Sequence, residues 1–145
     1  MEKILKIFSF IFVCILMSGC AHYDNIERKT YNSWEKDIGY SQVVKVGDTL
    51  YISGITSEAI TFDGQLVQIY ETIGGILKDY GTDTSSIVKE VVYTKDIEAL
   101  KNAIPVRKKY FKENQFPAAT WVQIDRLYMP DHFLEIEVVV YIPKK

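Results

Sequence analysis

Phe133-Leu134-Glu135-Ile136-Glu137-Val138-Val139-Val140-Tyr141-Ile142 is the stretch on which the fold turns. Side chains alternate across a strand, so Leu134, Ile136, Val138, Val140 and Ile142 share one wholly apolar face. Glu135, Glu137, Val139 and Tyr141 share the other. The first face suits a place beneath helices. The second is half acidic and half apolar, which suits neither open water nor a dry core, and it predicts a subunit interface with a wet cleft.

The remaining elements are read outward from this strand. Leu66, Ile69, Tyr70, Ile73, Ile76, Leu77 and Tyr80 recur at the spacing of one helical face, with Gly81 placed to end the helix. Gly74-Gly75 sits inside that pattern, where glycine costs about 1 kcal/mol each relative to alanine, and a close approach of helix to sheet would justify it. Leu100, Ala103, Ile104, Arg107, Tyr110 and Phe111 predict a second helix that ends before Pro117. Strands are predicted at 43–46 and 49–52 around the turn Gly47-Asp48, at 87–93 and at 118–127, with a further tight turn at Asp63-Gly64. The order is two or three strands, helix, strand, helix, two strands. It predicts a two-layer α+β domain, a mixed sheet with two helices on one face and the other face free.

The N-terminus carries a separate message. Lys3 and Lys6 precede an apolar run from Ile7 to Met17, interrupted only by Ser9. Its length of about eleven residues suits the core of a secretory signal and falls short of the roughly 20 needed to span a bilayer. Leu16-Met17-Ser18-Gly19-Cys20 resembles the lipobox of bacterial lipoproteins. That resemblance implies a signal peptide at 1–19, a lipidated Cys20, a tether at 20–38 and a domain at 39–145. It also implies attachment to a membrane through the lipid. Ala21 follows the cysteine where an aspartate would favour the inner membrane, so the expected location is the outer membrane facing the periplasm in a Gram-negative host.

Cys14 and Cys20 are the only cysteines, so the mature chain would hold no disulfide and no free thiol. Removing the first 19 of 145 residues leaves 126, enough for one domain, and takes the net charge from −2 to −3 because Glu2, Lys3 and Lys6 leave with the signal. A mildly acidic chain has no electrostatic bias toward nucleic acid. The densest basic run, Arg107-Lys108-Lys109, reads as a solvated helix face. His22 and His132 are the only histidines; no cluster of zinc ligands appears, and Ser41 and Ser53 lack a plausible histidine partner for a triad. His132, following Pro130-Asp131, reads as a surface residue.

Gly39-Tyr40-Ser41-Gln42-Val43-Val44-Lys45-Val46-Gly47-Asp48 and Leu50-Tyr51-Ile52-Ser53-Gly54 resemble the opening of the reactive intermediate deaminase family (RidA, or YjgF-like). Ile87-Val88-Lys89 to Val92-Tyr93-Thr94-Lys95-Asp96 resembles its middle strand. Pro117-Ala118, Val122-Gln123-Ile124, Arg126-Leu127 and Glu135-Ile136-Glu137 resemble its C-terminal signature. The resemblance covers residues 39–142. It implies a chorismate-mutase-like fold, a homotrimer with a ligand-binding cleft between each pair of subunits, and hydrolysis of enamines and imines such as 2-aminoacrylate without metal or cofactor. An arginine would grip the substrate carboxylate and a glutamate of the last strand would position water.

The sequence departs from this pattern at its most chemical residue. The family arginine follows Pro-Ala, and here Ala119 stands there. An asparagine usual in the second helix becomes Ile104, and the Gln of Ser-Gly-Gln becomes Ile55. Tyr40, Ser53, Gly54 and Glu135 match family cleft positions, with one extra residue between Arg126 and Glu135. Ala119, Trp121 and Gln123 share a strand face, which predicts that Ala119 and Trp121 look into the cleft while Val122 and Ile124 lie under the helices. Trp121 either lines an enlarged cleft or fills it. Three readings remain open: a lipid-anchored trimer that binds a small molecule without the usual deaminase activity, an active hydrolase with another substrate, and an assembly protein with closed clefts.

Overall fold

The computed structural model describes residues 25–112 and 115–142. Cys20 and the whole predicted signal lie outside the described residues. Six strands form one mixed sheet in the order β1-β2-β3-β6-β4-β5: β1 Ile26–Lys29, β2 Val43–Val46, β3 Thr49–Ile55, β4 Ile87–Thr94, β5 Ala118–Gln123 and β6 Leu134–Tyr141. Only β4 and β5 run parallel. The helices are α1 Trp34–Ile38, α2 Phe62–Asp79, α3 Ile97–Asn102 and α4 Ile104–Lys108. This is the two-layer α+β arrangement predicted from the strand and helix order.

The last strand behaves as its alternation requires. Leu134, Ile136, Val138 and Val140 are buried, and β6 lies mid-sheet between β3 and β4. Leu66, Ile69, Tyr70, Ile73, Ile76 and Leu77 of α2 pack onto them as one core. Each fully buried aliphatic side chain contributes about 1.5–3 kcal/mol relative to exposure. Gly81, at φ 70, ends α2: its N–H bonds to Lys78 O at 3.0 Å and Thr82 N–H bonds to Leu77 O at 3.1 Å. That pair of bonds is the Schellman stop.

Several predicted boundaries move. Residues 26–38, read as tether, belong to the domain: β1 pairs antiparallel with β2, and Trp34 packs on Tyr40 with ring centroids 5.9 Å apart. Glu35, fully buried, holds this segment to the sheet by accepting from the N–H groups of Tyr31, Asn32 and Gln42. Asp63-Gly64 is not a hairpin turn but the first turn of α2, where Thr61 Oγ1 accepts from Gly64 N at 3.1 Å. The second helix is broken at Ala103 into α3 and α4, because Pro105 lacks the N–H that a continuous helix needs. β5 stops at Gln123, short of the predicted Leu127. A Cβ placed on Gly74 or Gly75 would meet nothing within 4 Å, so close packing against the sheet does not explain the pair.

Candidate functional site

Four predicted cleft residues come together where β3 ends beside β6. The chain irregularity between Ile52 and Ile55 opens the ladder there. Glu135 lies against the backbone of Gly54 so closely that a Cβ on Gly54 would sit 1.7 Å from Glu135 Oε1. Glycine at 54 is therefore a condition for the carboxylate's position. Gln42 Nε2 donates to Ser53 O at 2.9 Å and Ser53 Oγ donates to Ser41 O at 2.8 Å, which ties the Tyr40–Gln42 segment to the same strand end.

Charge is concentrated on this open sheet face. Glu135 is half-buried, and its carboxyl is raised above the usual range, first by burial and then by the like charge of Glu137. Glu137 accepts from Tyr93 OH at 3.3 Å. Tyr93 is raised by burial and then by the Glu137 charge. Beside them a hollow of about 220 Å³ is lined by Tyr51, Ser53, Lys89, Glu137 and neighbours, and Lys89 Nζ bonds to Thr120 Oγ1 at 2.6 Å. A carboxyl raised by burial and by a like charge is suited to exchanging a proton with a molecule bound beside it.

Ala119 and Trp121 stand on the opposite face, and the strand assignment made from the sequence is reversed. The parallel register pairs Glu90 with Ala119 and Val92 with Trp121. Glu90 and Val92 are fully buried beneath the helices, so Ala119 and Trp121 face the helix layer while Thr120 and Val122 face the open side. The alternation was read correctly and its phase was not, because β5 is an exposed edge strand with little apolar bias on either face.

Trp121 belongs to a buried polar network that the sequence reading missed. Glu90 Oε1 accepts from Arg107 Nε at 2.9 Å and from Trp121 Nε1 at 3.3 Å, and Glu90 Oε2 accepts from Tyr70 OH at 2.6 Å. Arg107 Nη2 lies 2.9 Å from the same Oε1, and the guanidinium stacks near the rings of Phe111 and Trp121, 4.7 and 5.3 Å from their centroids. Arg107 is 5% exposed, so it is not the solvated face read from the run 107–109. Tyr70's hydroxyl is pushed far up, by burial first and then by Glu90. The available signal was Glu90 itself, a charge at a buried phase of β4. His132 is likewise buried rather than on the surface, and its Nδ1 has no partner among the described residues. Among the described residues no three metal-ligating side chains converge.

A groove of about 480 Å³ also borders Tyr40 and Gly54, walled by the 31–34 segment and α2. Of its lining residues, only Tyr40 and Gly54 are among the predicted cleft positions.

Comparison with known proteins fits this architecture. Residues 31–142 match the family model described as endoribonuclease L-PSP. The chain is 37% identical over 113 residues to a RutC family protein of Saccharolobus solfataricus, covering 72% of this chain and 88% of that one. It is 38% identical over 112 residues to the human 2-iminobutanoate/2-iminopropanoate deaminase, covering 69% of this chain and 77% of that one. The crystal structure of a YjgF/YER057c/UK114 family member from Mycobacterium tuberculosis shares the fold, with a TM-score of 0.75 at 23% identity over 81% of this chain and all of the other. RidA from a Psychrobacter species superposes with a TM-score of 0.68 at 27% identity, over 83% of this chain and 99% of that one. A strand order closed by β6, a glycine that admits the β6 glutamate and a family match across nearly the whole described domain lead to one statement: this chain belongs to the endoribonuclease L-PSP family, the YjgF/RidA group.

Proposed function

We propose that the protein is a lipid-anchored RidA-family homotrimer that binds a small molecule in clefts between subunits and lacks the usual 2-aminoacrylate deaminase activity. One observation carries the catalytic half. The family's arginine position is Ala119, and Arg107, whose guanidinium reaches the strand residue paired with Ala119, is buried and committed to that residue, Glu90. A bidentate arginine–carboxylate contact away from water is strong, and losing about 3 kcal/mol of transition-state binding slows a reaction roughly a hundredfold. The assay generates 2-aminoacrylate in place with a serine dehydratase and follows its loss with and without this protein. Acceleration equal to that of an arginine-bearing relative overturns the reading.

The trimer half is supported by the open sheet face. Tyr51 and Tyr141 are half-exposed there, beside Val139 and the Glu135–Glu137 pair. A face that mixes aromatic rings with carboxylates would, on a lone domain, leave aromatic surface in water. Lipid anchoring rests on the lipobox ending at Cys20. Cys20→Ser should leave an unprocessed precursor that incorporates no labelled fatty acid, and normal processing of that variant sinks the proposal.

A second reading, an active imine hydrolase with a different substrate, draws on Glu135. Its carboxyl is raised and seated against Gly54, as a proton-transfer group would need. Turnover of imines that lack a carboxylate, abolished in Glu135→Gln, would favour it. An assembly protein with closed clefts predicts no small-molecule binding at all.

A further inference from the structure

The groove between the N-terminal segment and α2 is built within one chain and has a chemistry of its own. One wall carries three aromatic rings, Tyr31, Trp34 and Tyr40; the other is Thr72, Gly75 and Ile76 of α2. Trp34 and Tyr31 remain 49% and 38% exposed, and the Trp34 and Tyr40 rings meet at a tilt of 55°. Gly75 sits mid-helix, where glycine is a poor helix former, and a Cβ there would meet nothing. The space beside it is therefore open to something other than the domain itself. The volume, about 480 Å³, falls within the usual range of small-molecule sites.

The electrostatics select among ligands. Asp79 is the only formally charged residue among the described residues lining the groove. The charges around it are Lys29, whose Nζ lies 2.7 Å from Asp79 Oδ2, Glu35 buried beneath the aromatic segment, and Glu135 behind Gly54. With Lys29 paired to Asp79, the formal charges of Glu35 and Glu135 remain to favour a cation. Tyr40's hydroxyl registers that field: it is raised by burial and then by Glu35 and Glu135. The same corner already holds one cation on an aromatic face, since Lys29 Nζ sits 4.4 Å from the Tyr31 ring centroid while paired with Asp79. Electron-rich rings beside a carboxylate are the surroundings that bind ammonium groups.

We infer that this groove is a binding site for a small organic cation, with a quaternary or alkyl ammonium group held over the rings of Trp34 and Tyr40 on the side where Asp79 lies. The site does not depend on the intersubunit cleft or on catalysis, although it touches the former through Tyr40 and Gly54. Thr56 and the Tyr40 hydroxyl are at hand for a polar group on the ligand.

The test uses the full-length chain, with choline as probe and its uncharged isostere 3,3-dimethylbutan-1-ol as control. Binding is read by calorimetry and by tryptophan fluorescence, the chain having two tryptophans. Choline should bind saturably and about tenfold or more tighter than the alcohol. Gly75→Leu should fill the groove and abolish binding, and Trp34→Ala should do the same by removing a ring. Gly74→Ala, one residue along and outside the groove, should leave binding unchanged, and thermal melts report that each variant folds. No saturable choline binding overturns the inference. So does equal affinity for the isostere, or choline affinity unaltered in folded Gly75→Leu. None of these results bears on the trimer or on the deaminase assay.

Discussion

Arg107→Leu removes the cation from a carboxylate that has no contact with water. Glu90 is 0% exposed, and in the variant it keeps only the Tyr70 hydroxyl and the Trp121 indole N–H. Breaking a buried pair from one side costs about 3–5 kcal/mol. The two remaining donors place this case near the lower end, about 3 kcal/mol, with lost stacking on Phe111 and Trp121 included. With a urea m value of about 1.5 kcal/mol/M, the midpoint should fall by about 2 M. Glu90→Gln in the same chain removes the orphan charge while leaving an amide whose oxygen can accept from the Trp121 N–H and whose NH2 can donate to the Tyr70 hydroxyl. The double variant should recover about 2 kcal/mol of the loss, a coupling visible in a double-mutant cycle. All four proteins are unfolded in urea at one protein concentration, since association shifts apparent stability. A cost below about 1 kcal/mol for Arg107→Leu, or a double variant no more stable than the single, refutes the network as an interdependent unit.

Gly74→Ala should stabilise the domain by about 1 kcal/mol, because the helix gains propensity and the new methyl meets nothing; a thermal melt checks it. Asp83 caps the 3₁₀ turn at Thr84–Ser86, and the Ser85 hydroxyl and Lys112 hold its carboxyl down at about 2. A depressed carboxyl contributes stability above its unfolded pKa that is lost as pH falls toward 2, so Asp83→Asn should flatten the acid limb of a stability–pH profile between about pH 4 and 2. Glu135 is the opposite case: its raised carboxyl favours folding below the ordinary carboxylate range and loses that advantage as pH rises, so Glu135→Gln should stabilise more at pH 7 than at pH 4. Tyr51→Glu with Tyr141→Glu should convert a sedimenting trimer to monomer; a wild-type chain that runs as a monomer removes the intersubunit cleft.

The sequence made the core legible wherever a period persisted. α2 and β6 announced their buried faces residue by residue, and Gly54 and Glu135, both picked out from the sequence, lie against each other. What stayed hidden lacks a periodic signal. β1 is four residues with three exposed, so nothing in its pattern distinguishes it from a tether. β5 offered two faces of similar polarity, and its phase was set only by pairing with β4. Glu90 and Arg107 are hydrophilic in isolation and become a core element only when two elements bring them within 2.9 Å. Long-range pairing of this kind leaves no local trace.

The position of β6 also constrains when the chain can fold. Without its last strand the sheet is two unconnected pieces, β1-β2-β3 and β4-β5, because β6 is the only strand that bridges them. The register that joins them pairs Thr49 with Tyr141, so closing it must wait for β6. Loss of β6 would therefore part the sheet at its middle rather than fray its edge.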